Sequence, residues 1–303
     1  MLACRIHAKD DLRVEPQAMP AVGENEVLLR LGAGGICGSD LHYYFEGRNG
    51  SFVVREPLIP GHEASAVVAA VGSAVTRVKK GDKVAVSPSH ACGRCGYCRE
   101  GREQLCEHMR FLGSASRFPH VQGMFCEYFV MGERQCYPVA DDVSLGEIAF
   151  AEPLAVALHA VHRAGDVRGR DVVVNGAGPI GSLVVAAARY RGAASVVAAD
   201  LSDASLAVAK AMGADEVRNL PGTAVSAVLG DLVTREITWV GAYRFVEEIG
   251  DALVAMRDGL DVSPLITHRF DLDDAAEALA VAADRTSGSS KVMLRLGSER
   301  RPR

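Results

Sequence analysis

Four cysteines, Cys92, Cys95, Cys98 and Cys106, form a C-x2-C-x2-C-x7-C run. Thiols at such short spacing can surround one ion, and a tetrahedral zinc whose four positions are all taken by thiolates is a structural site. The segment must therefore loop back on itself around an ion and hang from a scaffold built elsewhere. Clustered cysteines of this kind suit a reducing compartment, where they bind metal more often than they form disulfides. The thiols Cys4, Cys126 and Cys136 read as buried side chains.

The bulk numbers set the class. At 303 residues, 49% hydrophobic and 23% charged, the chain is long enough for two domains and has the composition of an ordinary soluble enzyme. A net charge of −5 and a pI near 6.0 argue against a nucleic-acid partner, which would want a concentrated basic face. No apolar run approaches membrane-spanning length. Residues Met1 to Val14 carry Arg5, Lys9, Asp10, Asp11 and Arg13, so they lack the apolar core of a signal peptide. A cytoplasmic protein is expected.

From Glu26 to about Val139 the chain reads as short β-rich runs broken by glycine and proline, among them Val27 to Leu31, Ser65 to Val68 and Lys83 to Val86. Near Glu147 the texture changes to alanine-rich helical stretches. Asp171 to Asn175 then reads as a buried parallel strand running into Gly176-Ala177-Gly178-Pro179-Ile180-Gly181. A strand, this glycine turn and a helix in succession make a dinucleotide site, with the pyrophosphate on the helix N-terminus. Asp200, closing the next strand at Ser195 to Ala199, is placed to bind both ribose hydroxyls and to repel a 2′-phosphate, so NAD is expected over NADP. A helix over Ala204 to Met212 stops at Gly213, a helical stretch is expected around Leu232, and a strand over Glu236 to Val240. Leu272 to Ala283 has an amphipathic helical pattern, and Lys291 to Leu296 reads as a last strand.

A doubly wound sheet in the order 3-2-1-4-5-6 sets strand 4 beside strand 1, so strand 4 cannot be skipped without leaving the central strand unpaired. Around Leu220 to Gly222 there is too little chain for it. Roughly forty residues, enough for two helices and two strands, are missing there by mean element lengths, and the expectation is of a segment left out of this sequence.

Two stretches carry a resemblance. Gly34-Gly35-Ile36-Cys37-Gly38-Ser39-Asp40-Leu41-His42 and Pro60-Gly61-His62-Glu63 are similar, residue for residue, to the catalytic-zinc segments of the medium-chain dehydrogenase/reductase superfamily. With Ala151-Glu152-Pro153-Leu154, Val172 to Gly181 and Thr267-His268-Arg269-Phe270 in order, the chain resembles the polyol dehydrogenase branch over nearly its whole length. Ala66 departs from the usual glycine by one methyl group, and the missing segment departs further. The resemblance implies an α/β protein with a β-rich GroES-like catalytic domain over 1–146 and 268–303 and a doubly wound Rossmann NAD-binding domain over 147–267, with substrate in the cleft between.

It also implies a catalytic zinc on Cys37, His62 and Glu63, with Glu152 beside it, either bound directly or through water, where simple alcohol dehydrogenases carry cysteine. One position stays open, where zinc acts as a Lewis acid on the substrate hydroxyl while hydride leaves carbon for the nicotinamide. By the same resemblance Ser39 takes the released proton first and His42 passes it to solvent. One catalytic and one structural zinc per chain are expected.

The stretches Cys106 to Ala115, Phe118 to Val121 and Gly241 to Phe245 look most like L-idonate 5-dehydrogenases, which interconvert L-idonate and 5-keto-D-gluconate. Tyr43, Arg110, Phe111 and Arg244 become the expected substrate contacts, and Phe245 stands where sorbitol dehydrogenases usually carry tyrosine. A sugar acid needs a carboxylate partner, for which Arg244, Arg110, Arg117 and His120 are candidates, because an arginine fork suits a carboxylate. A neutral polyol such as sorbitol or xylitol is the alternative substrate. A non-catalytic NAD- or zinc-binding protein and a zinc-free quinone reductase are the readings from other classes, although the latter would need neither Cys37, His62 nor the Cys92 cluster. Relatives of this kind imply a homodimer or homotetramer.

Overall fold

The computed structural model describes residues 1–140, 142–220 and 240–296, together with positions 234 and 238. Its first part is built on β3 (Glu26–Gly35), which follows a hairpin of β1 (Leu2–Ala8) and β2 (Asp11–Pro16). Helix α1 (Gly38–Glu46) leaves the end of β3, and β4 (Glu63–Val71), β5 (Lys83–Val86), β6 (Tyr128–Gly132) and β7 (Cys136–Val139) complete this stretch of chain. Alternation dictates the pairing: Val27, Leu29 and Leu31 of β3 are 0–1% exposed, while the residues between them turn to the other face. The hairpin at the N-terminus was not legible in the charged Met1 to Val14 stretch, yet Ala3, Cys4 and Ile6 are all fully buried.

The second part is α/β. Helix α2 (Ala151–Arg163) precedes β8 (Asp171–Asn175), α3 (Pro179–Tyr190), β9 (Ser195–Asp200), α4 (Asp203–Ala211) and β10 (Glu216–Asn219). Pro179 opens α3, where its missing N–H costs nothing, and the Ser202 hydroxyl caps α4 by accepting the Ser205 N–H at 3.2 Å. The parallel strands pair in the order β8-β9-β10. Phe150, Leu154 and Leu158 of the α2 region close a core with Leu183, Val196 and Ala198.

Helix α5 (Glu248–Arg257) follows, and then β11 (Ile266–Asp271), α6 (Ala275–Ala283) and β12 (Lys291–Arg295). The last strands do not join the parallel sheet. They extend the first one, giving seven strands along the path β7-β5-β4-β3-β12-β11, with β6 also paired to β3. The chain thus returns at its end to the sheet built on β3. Because β12 runs beside the C-terminal end of β3, with Met293 opposite Gly35, its residues reach the place where α1 begins.

In a six-strand order β8 would lie at the centre of the parallel sheet, but among the described residues it is an edge, and Val173 on it is 71% exposed. The sequence itself is continuous through Leu220 and Gly222. The helix expected around Leu232 and most of the strand expected over Glu236 to Val240 lie outside the described residues.

A buried hydrogen-bonded pair ties α5 to α2. His159 Nδ1 lies 2.7 Å from a Glu248 carboxylate oxygen, and the other oxygen accepts the Val246 N–H at 2.6 Å. Burial would raise the Glu248 pKa, but the hydrogen bond with His159 and those from the backbone N–H groups of Val246 and Glu248 together outweigh it and hold the carboxyl below its ordinary value. Glu248→Ala leaves His159 buried and unpaired, so it should destabilise the protein by about 1–3 kcal/mol. Thermal unfolding of the zinc-loaded protein checks this, and an unchanged midpoint would show the pair to be neutral.

Candidate active site

The site begins with strand register. β3 and β4 pair so that Gly35 sits opposite Glu63. Cys37, two residues past Gly35, and His62, one residue before Glu63, therefore leave the sheet side by side. Ligand atoms of Cys37, His62 and Glu63 all lie within 4.8 Å of one another, a separation one ion can span. The loop is fixed by Asp40, fully buried in the first turn of α1. One Asp40 oxygen accepts the Cys37 N–H at 2.9 Å, and the other accepts the Gly61 N–H at 3.0 Å and lies 3.8 Å from His62 Nδ1.

Glu152, in the first turn of α2 and 6% exposed, faces the same space, within electrostatic reach of His62, Glu63 and Lys291. Burial, reinforced by the Glu63 charge, raises its pKa to about 7. For His62, burial works against the charged form, but Asp40, Cys37 and Glu152 together lift its pKa well above the ordinary value. His62 Nδ1 is buried with no hydrogen-bond partner among the described residues. A thiol, a carboxylate and an under-partnered imidazole within reach of one ion form a donor set that fits zinc.

The Cys92 cluster passes a stricter test. Its sulfurs are 3.5 Å apart for Cys95 and Cys98, and 3.9 Å apart for both Cys92–Cys98 and Cys95–Cys106. Four sulfurs about 2.3 Å from one zinc would stand about 3.8 Å from each other. The Arg94 N–H, and then that of Cys95, hold the Cys92 thiol down to about 6, and Cys106 Sγ accepts the N–H groups of Cys92 and His108. Cys4, Cys126 and Cys136 are buried, as expected, and burial raises the last two to about 12.

The glycine turn lines a cleft of about 850 Å3 that runs from Asp200, Ser202 and Leu201, past Gly176, Gly178, Pro179 and Ile180, to Cys37 and Glu63. One space therefore serves a dinucleotide and the candidate metal position. Gly176 has φ +93, and a Cβ on Gly181 would collide with the Gly176 carbonyl oxygen, so the turn closes only with glycine at both. The Asp200 carboxylate accepts the Ala177 N–H at 2.6 Å and the Ser202 N–H at 2.9 Å.

The other expected contacts are distributed unevenly. Arg244, at φ +54, lays its guanidinium 4.2 Å from the Phe111 ring centre and 4.9 Å from that of Tyr243. Phe111 in turn packs its ring on His62, centroids 5.4 Å apart. Tyr43 is core, packed with Ile6, Leu58 and Ala115, and its hydroxyl accepts the Ala115 N–H at 3.1 Å. Arg110 is exposed. Arg117 donates to the Met109 carbonyl at 3.2 Å and to the Glu107 carbonyl, while buried His120 accepts the Arg55 N–H at 2.9 Å. Ser39 is half-buried, and His42, one turn on, is exposed with Nδ1 2.8 Å from Glu46. Phe245 is buried against Ile148 and Ile249, away from solvent.

The sequence reading did not single out Asp40 or Lys291. Asp40 stands inside the quoted Cys37 stretch, where a carboxylate at the third helical position is a capping signal. Lys291 shows only as a charge at the head of an apolar strand, yet its ammonium is 2.7 and 2.9 Å from the two Glu63 oxygens.

Comparison with known proteins agrees with this arrangement. Residues 23–141 match the alcohol dehydrogenase GroES-like domain. The chain is 35% identical to the L-idonate 5-dehydrogenase (NAD(P)(+)) of Escherichia coli K12, covering 96% of this chain and 98% of that protein. It belongs to the zinc-dependent medium-chain dehydrogenase family. Within this family of polyol and sugar-acid oxidoreductases, the sorbitol dehydrogenase of Gallus gallus is also 35% identical, over 97% of this chain and 96% of that one. The crystal structure of the Escherichia coli L-idonate 5-dehydrogenase superposes with a TM-score of 0.91 at 34% identity, covering 97% of this chain and 98% of that chain. The alignment to the Escherichia coli enzyme runs over 339 positions although this chain has 303 residues, so the relative carries residues inside the aligned span that this member lacks.

Two tests follow from the geometry. Cys95→Ser should cut bound zinc to about one ion per chain and lower the unfolding temperature, whereas Cys37→Ser should remove the other ion with a smaller thermal effect. Equal thermal losses would contradict the division into structural and catalytic centres. Glu152 is raised above its ordinary carboxyl value, so its contribution to stability is complete at low pH and lost as pH climbs through about 7. Metal-stripped Glu152→Gln should therefore gain on equally stripped wild type between about pH 5 and about pH 8. A difference in melting temperature that stays constant with pH would refute it.

Proposed function

We propose that this chain oxidises a secondary hydroxyl of a sugar acid with NAD as acceptor, taking L-idonate to 5-keto-D-gluconate. The observation that carries the reading is the placing of Arg244. Its guanidinium stacks on Phe111, which packs on His62, so a permanent cation stands beside the candidate metal position. Burial lowers the Arg244 pKa, but arginine remains charged, and a substrate carboxylate is the partner that suits such a fork. The division into 1–146 with 268–303 and 147–267, the absent segment near Leu220, the cytoplasmic location and a homodimeric or homotetrameric state are part of the same proposal. It is supported by the return of β11 and β12 to the first sheet and by the longer aligned span of the relative.

In this reading Cys37, His62 and one of Glu63 and Glu152 hold the catalytic zinc, and Cys92, Cys95, Cys98 and Cys106 hold the structural one. Bound zinc supplies Lewis acidity that lowers the pKa of a hydroxyl, and NAD supplies the hydride acceptor. The protein's own work is orientation and proton handling. The Gly176 to Gly181 turn presents backbone N–H groups to the pyrophosphate, and Asp200 faces the ribose, which favours NAD over NADP. Ser39 receives the hydroxyl proton at Oγ, and His42, on the same face of α1 one turn on, delivers it to water from its exposed ring.

A neutral polyol is the second reading, favoured by the equal identity to a sorbitol dehydrogenase. Initial rates of NAD reduction on L-idonate, sorbitol, xylitol and L-threonine separate the two. We expect the largest kcat/KM on L-idonate. Arg244→Met should lower it about 10- to 100-fold, equivalent to about 1.5–3 kcal/mol for a charged hydrogen bond, and leave sorbitol nearly unchanged. Equal losses on both substrates would make Arg244 scaffold.

A further inference from the structure

Lys291 is a buried lysine in the wall of the cleft. It is 3% exposed, and its ammonium has three acceptors: Glu63 Oε1 at 2.9 Å, Glu63 Oε2 at 2.7 Å and the Ile36 carbonyl at 3.2 Å. Every proton it carries is therefore spoken for. Glu63 is 2% exposed, and its two oxygens both accept from Lys291.

The frame around the pair is rigid. The Ile36 N–H donates to the Val292 carbonyl at 3.0 Å, the Ser290 N–H donates to Thr267 Oγ1 at 2.9 Å, and that hydroxyl donates to the Lys291 carbonyl at 3.3 Å. Gly35 leaves the room that the Glu63 carboxylate occupies, because a Cβ there would collide with Glu63 Oε2. The carboxylate is held from behind while it stays within ligand reach of Cys37 and His62.

Charge decides what such an arrangement is for. A buried carboxylate left unpaired is costly, and Glu63 is matched on both oxygens by one fixed ammonium. Carboxylate ligands of metal sites are themselves oriented by hydrogen bonds from behind, and losing such a partner typically weakens metal binding 10- to 100-fold.

We propose that Lys291 is a positioning residue for the catalytic centre: it holds Glu63 by both oxygens in the orientation that makes Glu63, with Cys37 and His62, the third protein ligand of the metal. Glu152 then stands by as the neighbouring carboxylate. The inference rests on the reading of Cys37, His62 and Glu63 as a zinc site and assigns within it which carboxylate binds and why.

The test is zinc affinity measured by chelator competition on the full chain, with the Cys92 cluster as an internal control. Wild type should bind two ions per chain, and a single ion, lost with Cys95→Ser, would end the zinc-site reading itself. Lys291→Met should weaken one site about 10- to 100-fold and leave the other untouched. It should also alter the visible spectrum of the cobalt-substituted protein. Lys291→Arg, which keeps the charge, should restore most of the affinity. Glu63→Gln should weaken the same site, and adding Lys291→Met to it should cost little more, because the lysine acts through the carboxylate. If Lys291→Met loses both ions and does not fold, Lys291→Gln, which keeps a donor for the Ile36 carbonyl without the charge, must show the selective weakening instead. Wild-type affinity together with a wild-type cobalt spectrum in either folded variant overturns the proposal.

Discussion

Cys37, Asp40, Glu63 and Glu152 are gathered with His62 and Lys291 in one largely buried volume, and most of the architecture serves to hold them there. Burying that many ionisable groups is unfavourable unless each is paired or hydrogen-bonded. Asp40 accepts two backbone N–H groups, Glu63 has Lys291, and His62 has Asp40 at 3.8 Å. Cys37 lines the cleft, and Glu152 is buried within electrostatic reach of His62 and Glu63. Cys37, His62 and Glu63 are the donors that one divalent ion could join, so the packing of the fold and the chemistry of the site meet at the same place.

Four separate stretches of chain supply these groups, and the topology follows from that need. β3 with α1 supplies Cys37 and Asp40, β4 supplies Glu63 with His62 just before it, and β12 supplies Lys291 from the far end of the sequence. The return of β12 to the first sheet is therefore part of the site and not only a way to end the chain. Helix α2 brings Glu152 from the side of the nucleotide domain, and α2 is in turn fixed to α5 through His159 and Glu248. Arg244 lies just ahead of α5, so the element that carries it is bolted to the element that carries Glu152.

Much of this was legible in the sequence because the residues concerned are ones that local chemistry demands. Short spacing brings the Cys92 cluster together without tertiary information, and the glycine turn is read from steric need, as Gly181 against Gly176 shows. The strands at Lys83 to Val86 and Asp171 to Asn175 were found at their observed bounds from their apolar runs; the first is buried as expected, whereas the second is largely exposed among the described residues. Lys291 was not found, because a lysine at the start of a strand looks like a solvated end until β12 is placed beside β3. The β1–β2 hairpin was missed for a related reason: Arg5, Lys9 and Asp11 lie among its positions and mask the inward Ala3, Cys4 and Ile6. Arg110 and His120 are the converse case: near the substrate stretch in sequence, Arg110 is exposed and the His120 ring accepts the Arg55 N–H.

The central claim is that one chain holds two chemically different zinc centres, one all-sulfur and one mixed. X-ray absorption at the zinc edge on the fully loaded protein tests it most directly. The account predicts about two zinc ions per chain and an averaged shell with both sulfur near 2.3 Å and nitrogen or oxygen near 2.0–2.1 Å, the lighter atoms disappearing in Cys37→Ser. A single ion per chain with only sulfur around it would contradict the account, leaving the structural cluster intact and the cleft without its catalytic metal.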